Sequence, residues 1–239
     1  FSTRLGGVSE GYYSSLNLSF DRGDDPARVL ENFKRIGASM GVAVEDMVLS
    51  KQTHTTNVKR VYARERGQSF PETDGMITDV PGICLVTSYA DCVPLYFVDP
   101  VKKVIGLSHS GWRGTVGKIG KVTVEKMEEE FGCDPADILG AVGPSICQDC
   151  YEVSEDVIKK FRENYDENLW PEIFYQKENG KYQLNLWKAN ESVFLESGIL
   201  PEHIAVTNVC THCNPDILFS HRTTGNERGT LSAFLALKK

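Results

Sequence analysis

The chain has 239 residues, of which 41% are hydrophobic, so it is long enough to bury a sizeable core. Its formal net charge is -7, and its lysines and arginines are scattered, which argues against nucleic acid as a partner. No apolar run approaches the roughly 18 residues needed to cross a bilayer, which argues against a membrane partner as well.

The absence of linkers predicts the number of domains, and the cysteines predict the cellular compartment. No Ser/Gly/Pro-rich linker or low-complexity tract divides the sequence, so we expect a single domain over residues 1–239. Seven cysteines at irregular spacings in so long a chain favour a soluble protein of the reducing cytoplasm, in which some thiols have chemical roles. The chain does not begin with Met, so removal of an N-terminal leader is an alternative that the sequence leaves open.

Amphipathic helices are predicted at four places. Asp25-Pro26 supplies an N-cap and a first-turn proline, and apolar residues then recur at helical spacing as far as Met40, before Gly41. Similar spacing, bounded by Ser or Gly, predicts three further helices, at Val116 to Phe131, Val157 to Phe161 and Trp187 to Leu195.

Strands are predicted in most of the remaining segments. The best candidates are rich in β-branched and large apolar residues: Ile83 to Tyr89, Leu95 to Val98, Val104 to Ser108, Ile138 to Val142, Ile204 to Val209 and Leu231 to Leu237. The second and third of these are joined by a short turn, so they are antiparallel and a simple alternating parallel sheet does not fit. The pattern favours an α+β fold with sheets covered by helices.

A predicted hairpin brings Cys92 and His109 together. If the turn Asp99-Pro100-Val101-Lys102 is its centre, residues whose numbers sum to 201 face each other, and Cys92 and His109 are such a pair. Facing side chains lie roughly 4.5 to 5.5 Å apart at Cβ. That is close enough to share one metal ion or to form a thiolate–imidazole pair.

His54 is a third candidate ligand. It lies in the polar run Ser50 to Thr56, which follows an apolar strand, and strand ends are where side chains converge on a cleft. Taken singly, these residues have ordinary alternatives, because a lone histidine is more often a structural hydrogen-bonding residue and Cys92 could equally be an inert buried thiol.

The glycine-bracketed segment Ser108 to Thr115 is a candidate anion site. A strand delivers His109 into a turn that opens a helix, and free amides there, with the guanidinium of Arg113, would hold phosphate or carboxylate. Bracing of the fold by a backbone contact of Arg113 is the alternative.

A second group of soft ligands competes with the first. Cys147-x-x-Cys150, together with Cys210, His212 and Cys213, offers spacings found in structural zinc sites. The second half is compressed, and the first lacks the βαβ surroundings of a thioredoxin-like redox motif. We therefore favour local core or loop packing for these residues.

Six segments carry a family resemblance. They are Phe1 to Ser9, Lys51 to His54, Asp74-Gly75, Ala90 to Pro94, His109 to Gly114 and Gly143 to Ile146. In content and order they resemble the signature segments of the YfiH/YlmD-like family, long labelled multicopper polyphenol oxidase or laccase-domain and now associated with purine nucleoside phosphorylase activity. The resemblance reaches Phe219 to Arg222, whereas Thr223 to Gly229 matches the usual Arg-rich, Thr-Gly-Arg stretch only loosely.

The resemblance implies a fold, a metal and substrates. It implies a layered α/β/β/α sandwich with mixed, largely antiparallel sheets. It also implies a metal site, usually zinc, on His54, Cys92 and His109. The implied reactions are phosphorolysis of adenosine, inosine, guanosine and 5′-methylthioadenosine, and deamination of adenosine, so purine nucleosides and phosphate are the expected partners.

The histidine count tests the copper-oxidase label. A multicopper oxidase needs about ten histidine ligands, whereas this chain has five. A single His-Cys-His copper centre stays open, so Cu²⁺ and copper polyphenol oxidase activity are kept as alternatives. Three protein ligands with a free fourth position fit a catalytic zinc better.

Roles follow for the remaining candidate residues. In deamination, an activated water would attack C6 of adenine while Asp91 or Asp74 moves the proton. In phosphorolysis, phosphate held by Arg113, with Arg4 or Arg222, would attack the ribose C1′ as the base leaves.

Two rival functions use the same residues. In a thiol hydrolase or amidase, Cys92 would be the nucleophile and His109 its base, acting on acyl bonds or, as in some relatives, on cell-wall precursors. A non-enzymatic, zinc-stabilised interaction module is the other rival, and it would unfold on chelation. The sequence ranks neither the nucleosides nor the oligomeric states.

Overall fold

Two stacked β-sheets form the centre of the fold, and helices cover both outer faces. The computed structural model describes residues 1–238. The strands, in chain order, are β1 (Met47–Ser50), β2 (Val58–Arg60), β3 (Ser69–Phe70), β4 (Gly75–Thr78), β5 (Cys84–Tyr89), β6 (Val93–Asp99), β7 (Val104–Ser110), β8 (Leu139–Val142), β9 (Glu152–Val153), β10 (Phe174–Gln176), β11 (Tyr182–Leu184), β12 (Ile204–Val206) and β13 (Leu231–Ala236).

Seven α-helices are found among the described residues. They are α1 (Pro26–Met40), α2 (Trp112–Val116), α3 (Ile119–Phe131), α4 (Glu155–Asn164), α5 (Trp170–Ile173), α6 (Leu186–Glu196) and α7 (His221–Thr224). The first begins as its sequence requires, because the carboxylate of Asp25 accepts a hydrogen bond from the amide of Ala27, and it ends at Gly41 in the left-handed conformation.

Both large sheets mix parallel and antiparallel pairs. The four-stranded sheet has the order β13-β5-β1-β3, and the six-stranded sheet has the order β12-β8-β6-β7-β4-β2. In the first, β1 is parallel to β3 and β5, whereas β13 is antiparallel to β5. In the second, only the two edge pairs, β12 with β8 and β2 with β4, are parallel. A small antiparallel sheet has the order β10-β11-β9.

Three apolar clusters define four layers. Phe33 of α1 is buried against the outer face of the four-stranded sheet. Leu85 and Leu107, from different sheets, are buried in the cluster between the sheets. On the far side, Phe97 of β6 meets Phe194 of α6 with ring centroids 5.1 Å apart. This arrangement confirms the α/β/β/α sandwich with mixed, largely antiparallel sheets.

Most predicted elements agree with the structure within a few residues, and one helix does not. The segment predicted as a helix from Val116 to Phe131 consists of α2, a break and α3. The break occurs because Lys118 has a φ of 56°, in the left-handed region that interrupts a helix. In addition, the strand predicted from Ile204 to Val209 ends at Val206.

The β6–β7 hairpin has a different register from the predicted one. Asp99 pairs with Val104, so facing residues have numbers that sum to 203 rather than 201. Asp99 ends the strand because its carboxylate accepts hydrogen bonds of 2.8 Å from two amides of the following loop. His109 therefore faces Pro94, and the prediction that it faces Cys92 across the hairpin is wrong.

The predicted domain covers residues 1–239; its last residue lies outside the described residues, and the boundaries stay a prediction. Between residues 1 and 238, no helix combines the length and apolarity required to span a membrane.

Candidate metal centre and active site

His54, Cys92 and His109 converge despite the shifted hairpin register. One potential ligand atom from each lies within 4.8 Å of the other two. Zinc bonds of about 2.0 Å to nitrogen and 2.3 Å to sulfur place tetrahedral ligand atoms roughly 3.3 to 3.8 Å apart. Small side-chain adjustments would therefore bring all three onto one ion, and a donor set of two imidazoles and one thiolate suits zinc or copper.

Tight backbone turns position two of the three ligands. His54 follows β1 and has a φ of 63°, and Asp91, immediately before Cys92, has a φ of 90°. Gly111 lies directly beneath the group, because a Cβ there would be 2.9 Å from Cδ2 of His54 and 3.1 Å from Sγ of Cys92. Only a glycine leaves these two ligands undisturbed.

A buried carboxylate organises the histidine side of the centre. Asp74 accepts a hydrogen bond of 2.9 Å from Nδ1 of His109, which leaves Nε2 of that ring for a ligand. Its oxygens also accept from the amides of Thr53, His54 and Thr55 and from the hydroxyl of Thr55. Burial opposes ionisation, but the hydrogen bonds from His109 and Thr55 hold the pKa of Asp74 well below its usual range.

The thiol and the imidazole perturb each other. Burial alone would raise the pKa of Cys92, but the charge of His109 and hydrogen bonds from His109 and His54 lower it to about 6. Burial lowers the pKa of His109, whereas the Cys92 thiolate and Asp74 raise it to about 9. The sulfur is thus poised to act as a thiolate, which is the state that binds metals and attacks electrophiles.

A cavity of about 410 Å³ opens beside the three ligands. Its other polar lining comes from the N-terminal segment, from the ends of β1 and β5 and from the C-terminal loop, and includes Ser19, Asp21, Ser50, Asn226, Arg228 and Thr230. Two of these polar atoms, Ser50 Oγ and Arg228 Nε, are buried without a hydrogen-bond partner. A larger, more apolar cavity of about 460 Å³ between α1 and β13 contains none of the three ligands.

The three arginines predicted to bind phosphate lie away from this cavity's described lining. Arg4 donates to two backbone carbonyls and stacks on an aromatic ring. Arg222 donates to a backbone carbonyl through both terminal nitrogens and also lies over an aromatic ring. Arg113 is exposed over the ring of the preceding tryptophan. Arg228, which lies in the loosely matching stretch Thr223 to Gly229 and has no role predicted from the sequence, is the arginine in the lining.

The carboxylate of Asp91 connects two other segments of the chain through hydrogen bonds. One of its oxygens accepts a hydrogen bond of 2.6 Å from the hydroxyl of Thr211, and the other accepts one of 2.6 Å from the amide of Arg222. Asp21, in contrast, is exposed and lines the cavity. Asp21 has no sequence signal. Arg228 has a weak one, because it lies in the stretch Thr223 to Gly229, which matches the Arg-rich segment of the family only loosely.

The cysteines of the competing group also come together. Ligand atoms of Cys147, Cys150, Cys210 and Cys213 lie within 4.8 Å of one another. His212 points elsewhere, since its Nδ1 atom forms a hydrogen bond of 2.9 Å with the hydroxyl of Thr223. These four thiols are not part of the cavity beside His54, Cys92 and His109 within the described chain.

Comparison with known proteins identifies the family. The family model described as "Multi-copper polyphenol oxidoreductase laccase" matches residues 1–238. The chain belongs to this laccase family. The resemblance inferred from the six sequence segments is thereby confirmed.

Relatives in the laccase family are named as enzymes. A Bacillus subtilis (strain 168) protein named "Purine nucleoside phosphorylase YlmD" is 34% identical over 247 residues, covering 100% of this chain and 88% of the relative. A protein from an unknown prokaryotic organism, "Adenosine deaminase RL5", is 35% identical over 237 residues, covering 96% of this chain and 90% of the relative. These names support the assignment of the chain as an enzyme.

A solved structure of the laccase family has the same fold. The crystal structure of YlmD from Geobacillus stearothermophilus superposes with a TM-score of 0.96 at 34% identity, covering 99% of this chain and 90% of that one. The predicted fold class is therefore confirmed by an experimental relative as well as by the layers described above.

Proposed function

We propose that this chain is a zinc-dependent purine nucleoside phosphorylase that also deaminates adenosine. The observation that carries the proposal is the cavity that joins His54, Cys92 and His109 to two buried polar atoms without a partner, Nε of Arg228 and Oγ of Ser50. Nη1 of Arg228 donates to the carbonyl of Gly229. The names of the relatives indicate nucleoside chemistry, and this cavity offers both a metal centre and a place for an anion.

The proposed ligands are His54, Cys92 and His109. When bound there, zinc supplies Lewis acidity at the cavity wall through its open coordination position. Because Cys92 brings a negative charge, we expect this acidity to be modest compared with that of an all-histidine centre. Asp74 is a positioning residue, since it fixes the tautomer and orientation of His109.

Arg228 is the proposed phosphate-binding residue. Burial, followed by the charge of Arg22, lowers its pKa to about 10, so it stays charged at neutral pH. An arginine fork with a buried, unpartnered Nε suits the oxygens of phosphate. A phosphate oxygen held there would form the new bond to C1′ of the ribose while the purine leaves with the electrons of the glycosidic bond. Arg113, Arg4 and Arg222 stay sequence predictions for the same role.

Deamination requires water in place of phosphate. The oxygen of water forms the bond to C6 of adenine, and the amino group leaves as ammonia after taking up a proton. Of the carboxylates considered, Asp21 lines the cavity, whereas Asp74 is enclosed by hydrogen bonds and Asp91 joins two loops. We therefore propose Asp21 as the proton carrier and assign positioning roles to the two aspartates predicted from sequence.

The proposal extends to the substrates and to the cellular compartment of the enzyme. Adenosine, inosine, guanosine and 5′-methylthioadenosine with phosphate are the proposed substrates. All seven cysteines are free, which is consistent with a reducing compartment, and we propose the cytoplasm.

Two alternatives each have one supporting observation. The depressed pKa of Cys92 beside His109 would suit a thiol hydrolase or amidase without metal. The same His-Cys-His set would also suit one copper ion and polyphenol oxidation. Neither alternative uses the half-buried guanidinium of Arg228, which is why phosphorolysis is preferred.

The test is an assay with adenosine, with and without phosphate, on protein of measured metal content. We expect adenine and ribose 1-phosphate only with phosphate, inosine without it, and loss of both activities in Cys92→Ala. Cys133→Ala removes a buried thiol outside both ligand groups and is the matched control. Cleavage of acyl or amide substrates by metal-free protein, with no nucleoside turnover, would refute the proposal in favour of the thiol hydrolase.

A further inference from the structure

Four cysteines outside the candidate active site form a second potential ligand set. They are arranged as two C-x-x-C pairs, Cys147 with Cys150 and Cys210 with Cys213, so the expectation that the second half is compressed is wrong for its two cysteines. Their sulfur atoms all lie within 4.8 Å of one another. The Sγ atoms of Cys150 and Cys213 are 3.4 Å apart, and none of the four forms a disulfide. C-x-x-C is a spacing that structural zinc sites use.

Backbone hydrogen bonds hold the two C-x-x-C turns side by side. The amide of Ser145 donates to the carbonyl of Val209, and the amide of Thr211 donates back to the carbonyl of Ser145, each over 3.1 Å. This short parallel bridge joins the two loops without using any side chain. The sulfur atoms are therefore brought together by a backbone frame.

Backbone amides also point at one of the sulfur atoms. The amides of Cys147 and Cys213 lie 3.3 and 3.4 Å from Sγ of Cys210. Such N–H donors stabilise a thiolate more than a neutral thiol, and thiolates are the metal-binding form of cysteine. Groups that donate to ligand atoms are a regular feature of metal sites.

The donor set indicates which metal would fit. Within the described residues the cluster has only sulfur ligands, which favours zinc or iron over magnesium or calcium. Tetrahedral zinc–sulfur bonds of about 2.3 Å require sulfur atoms roughly 3.8 Å apart, which these positions can reach. Four protein ligands fill the coordination sphere, so such a site stabilises structure and leaves no position for a substrate.

We propose that Cys147, Cys150, Cys210 and Cys213 form a structural zinc site, separate from the catalytic metal centre. The site ties together the two loops that hold Asp91. The amide of Ile146, beside Cys147, donates to the Asp91 carbonyl over 3.0 Å.

The loop that contains Cys210 also forms a hydrogen bond with Asp91. Thr211, beside Cys210, donates its hydroxyl to the Asp91 carboxylate over 2.6 Å. Since Asp91 precedes Cys92, the tetrathiolate site fixes the backbone from which the proposed metal ligand Cys92 projects.

Metal analysis of three proteins tests this proposal: the wild type, Cys147→Ser/Cys210→Ser and His54→Ala/Cys92→Ala. We expect the first double variant to lose about one zinc ion per chain relative to the wild type, and the second to keep the tetrathiolate ion. Loss of zinc only in the second double variant would overturn the tetrathiolate site. Loss only in the first would support it while contradicting the catalytic metal centre, so the two failures are distinguishable.

A measurement on the unaltered chain covers the case in which that variant does not fold. In the wild type, alkylation of Cys213 should be slow until a chelator removes the zinc, even though its side chain is exposed. Chelation should also increase amide hydrogen exchange in residues 143–151 and 207–214. Equal alkylation rates with and without chelator, or an intact mass that shows disulfides within the group, would refute the site. Cys133→Ser, which removes a buried cysteine of neither group, should leave the zinc content unchanged.

Discussion

The Nδ1 atom of His109 lies 2.9 Å from Oδ1 of Asp74, and both side chains are almost completely buried, with 4% and 0% of their surface exposed. The backbone repeats this connection, because the amide of His109 donates to the carbonyl of Asp74 over 2.7 Å. The strand that carries the histidine is thus fixed to the carboxylate that orients its ring.

Substitution of this carboxylate should weaken metal binding. Asp74→Asn keeps the size of the side chain but removes the negative charge, and loss of such a ligand-orienting partner typically lowers metal affinity about 10- to 100-fold. Competition with a chromophoric chelator measures the change. Asp79→Asn, on the exposed carboxylate at the end of the neighbouring strand, is the control. Equal affinity in the two variants would show that Asp74 does not orient the ligand.

A larger side chain at Gly111 should also weaken metal binding, because it would collide with the proposed ligands. Gly111 has a φ of -72°, so Gly111→Ala introduces no backbone strain, but its Cβ would be 2.9 Å from the ring of His54. We expect lower metal content and lower activity with little change in the far-UV circular dichroism spectrum. Gly180→Ala adds a methyl group in open space at a residue with a φ of 78°, so it strains the backbone without touching any of the three side chains and should keep its metal. The two variants should therefore differ clearly in bound metal. A Gly111→Ala protein with full metal content would contradict the proposed ligand geometry.

Removal of the cavity guanidinium should separate the two activities. Charge-assisted hydrogen bonds contribute about 1.5 to 3 kcal/mol, so Arg228→Gln should raise the KM for phosphate about 10- to 100-fold. Deamination uses no phosphate and should change much less. Initial rates with varied phosphate provide the measurement, and Arg113→Gln and Arg222→Gln provide the comparison. A larger effect in either of these would assign phosphate binding to that arginine instead of Arg228.

Variants of Asp91 distinguish a positioning role of its carboxylate from a role in proton transfer. Asp91→Ala removes the acceptor of two hydrogen bonds, one buried and one partly buried, at a residue with a φ of 90°, and we expect a loss of about 2 to 4 kcal/mol in the free energy of unfolding. Asp91→Asn keeps an acceptor and tolerates that φ, so it should be milder. Denaturant unfolding measures both. If Asp91→Asn folds normally, binds metal and yet abolishes deamination, the carboxylate carries the proton after all.

The residue pattern predicted most of the helices and strands because these elements are strongly patterned, whereas the four-layer arrangement was implied by the family resemblance. The Asp25-Pro26 start and Gly41 stop delimit α1 correctly, and β-branched runs mark the central strands. The hairpin register was predicted wrongly because Asp99 was placed in the turn. Its carboxylate instead caps the loop from the end of the strand, and such a local hydrogen bond is not visible in hydrophobic periodicity.

The three converging side chains proposed as metal ligands could be predicted, and the cavity lining could not. His54, Cys92 and His109 each lie in a short polar segment next to an apolar strand, which is a local signal. Arg228 and Asp21 approach the same cavity from opposite ends of the chain, so their meeting at one cavity is visible only in the tertiary fold. The two C-x-x-C pairs are likewise joined through a backbone bridge between distant loops.

Anomalous diffraction at the zinc edge from crystals of the zinc-loaded protein is the most direct test of the catalytic centre. A peak bonded to His54, Cys92 and His109, at about 2.0 Å from nitrogen and 2.3 Å from sulfur, is the expected result. Crystals of protein that is active on adenosine, yet without anomalous density among these three side chains, would contradict the metal centre on which the proposed function rests.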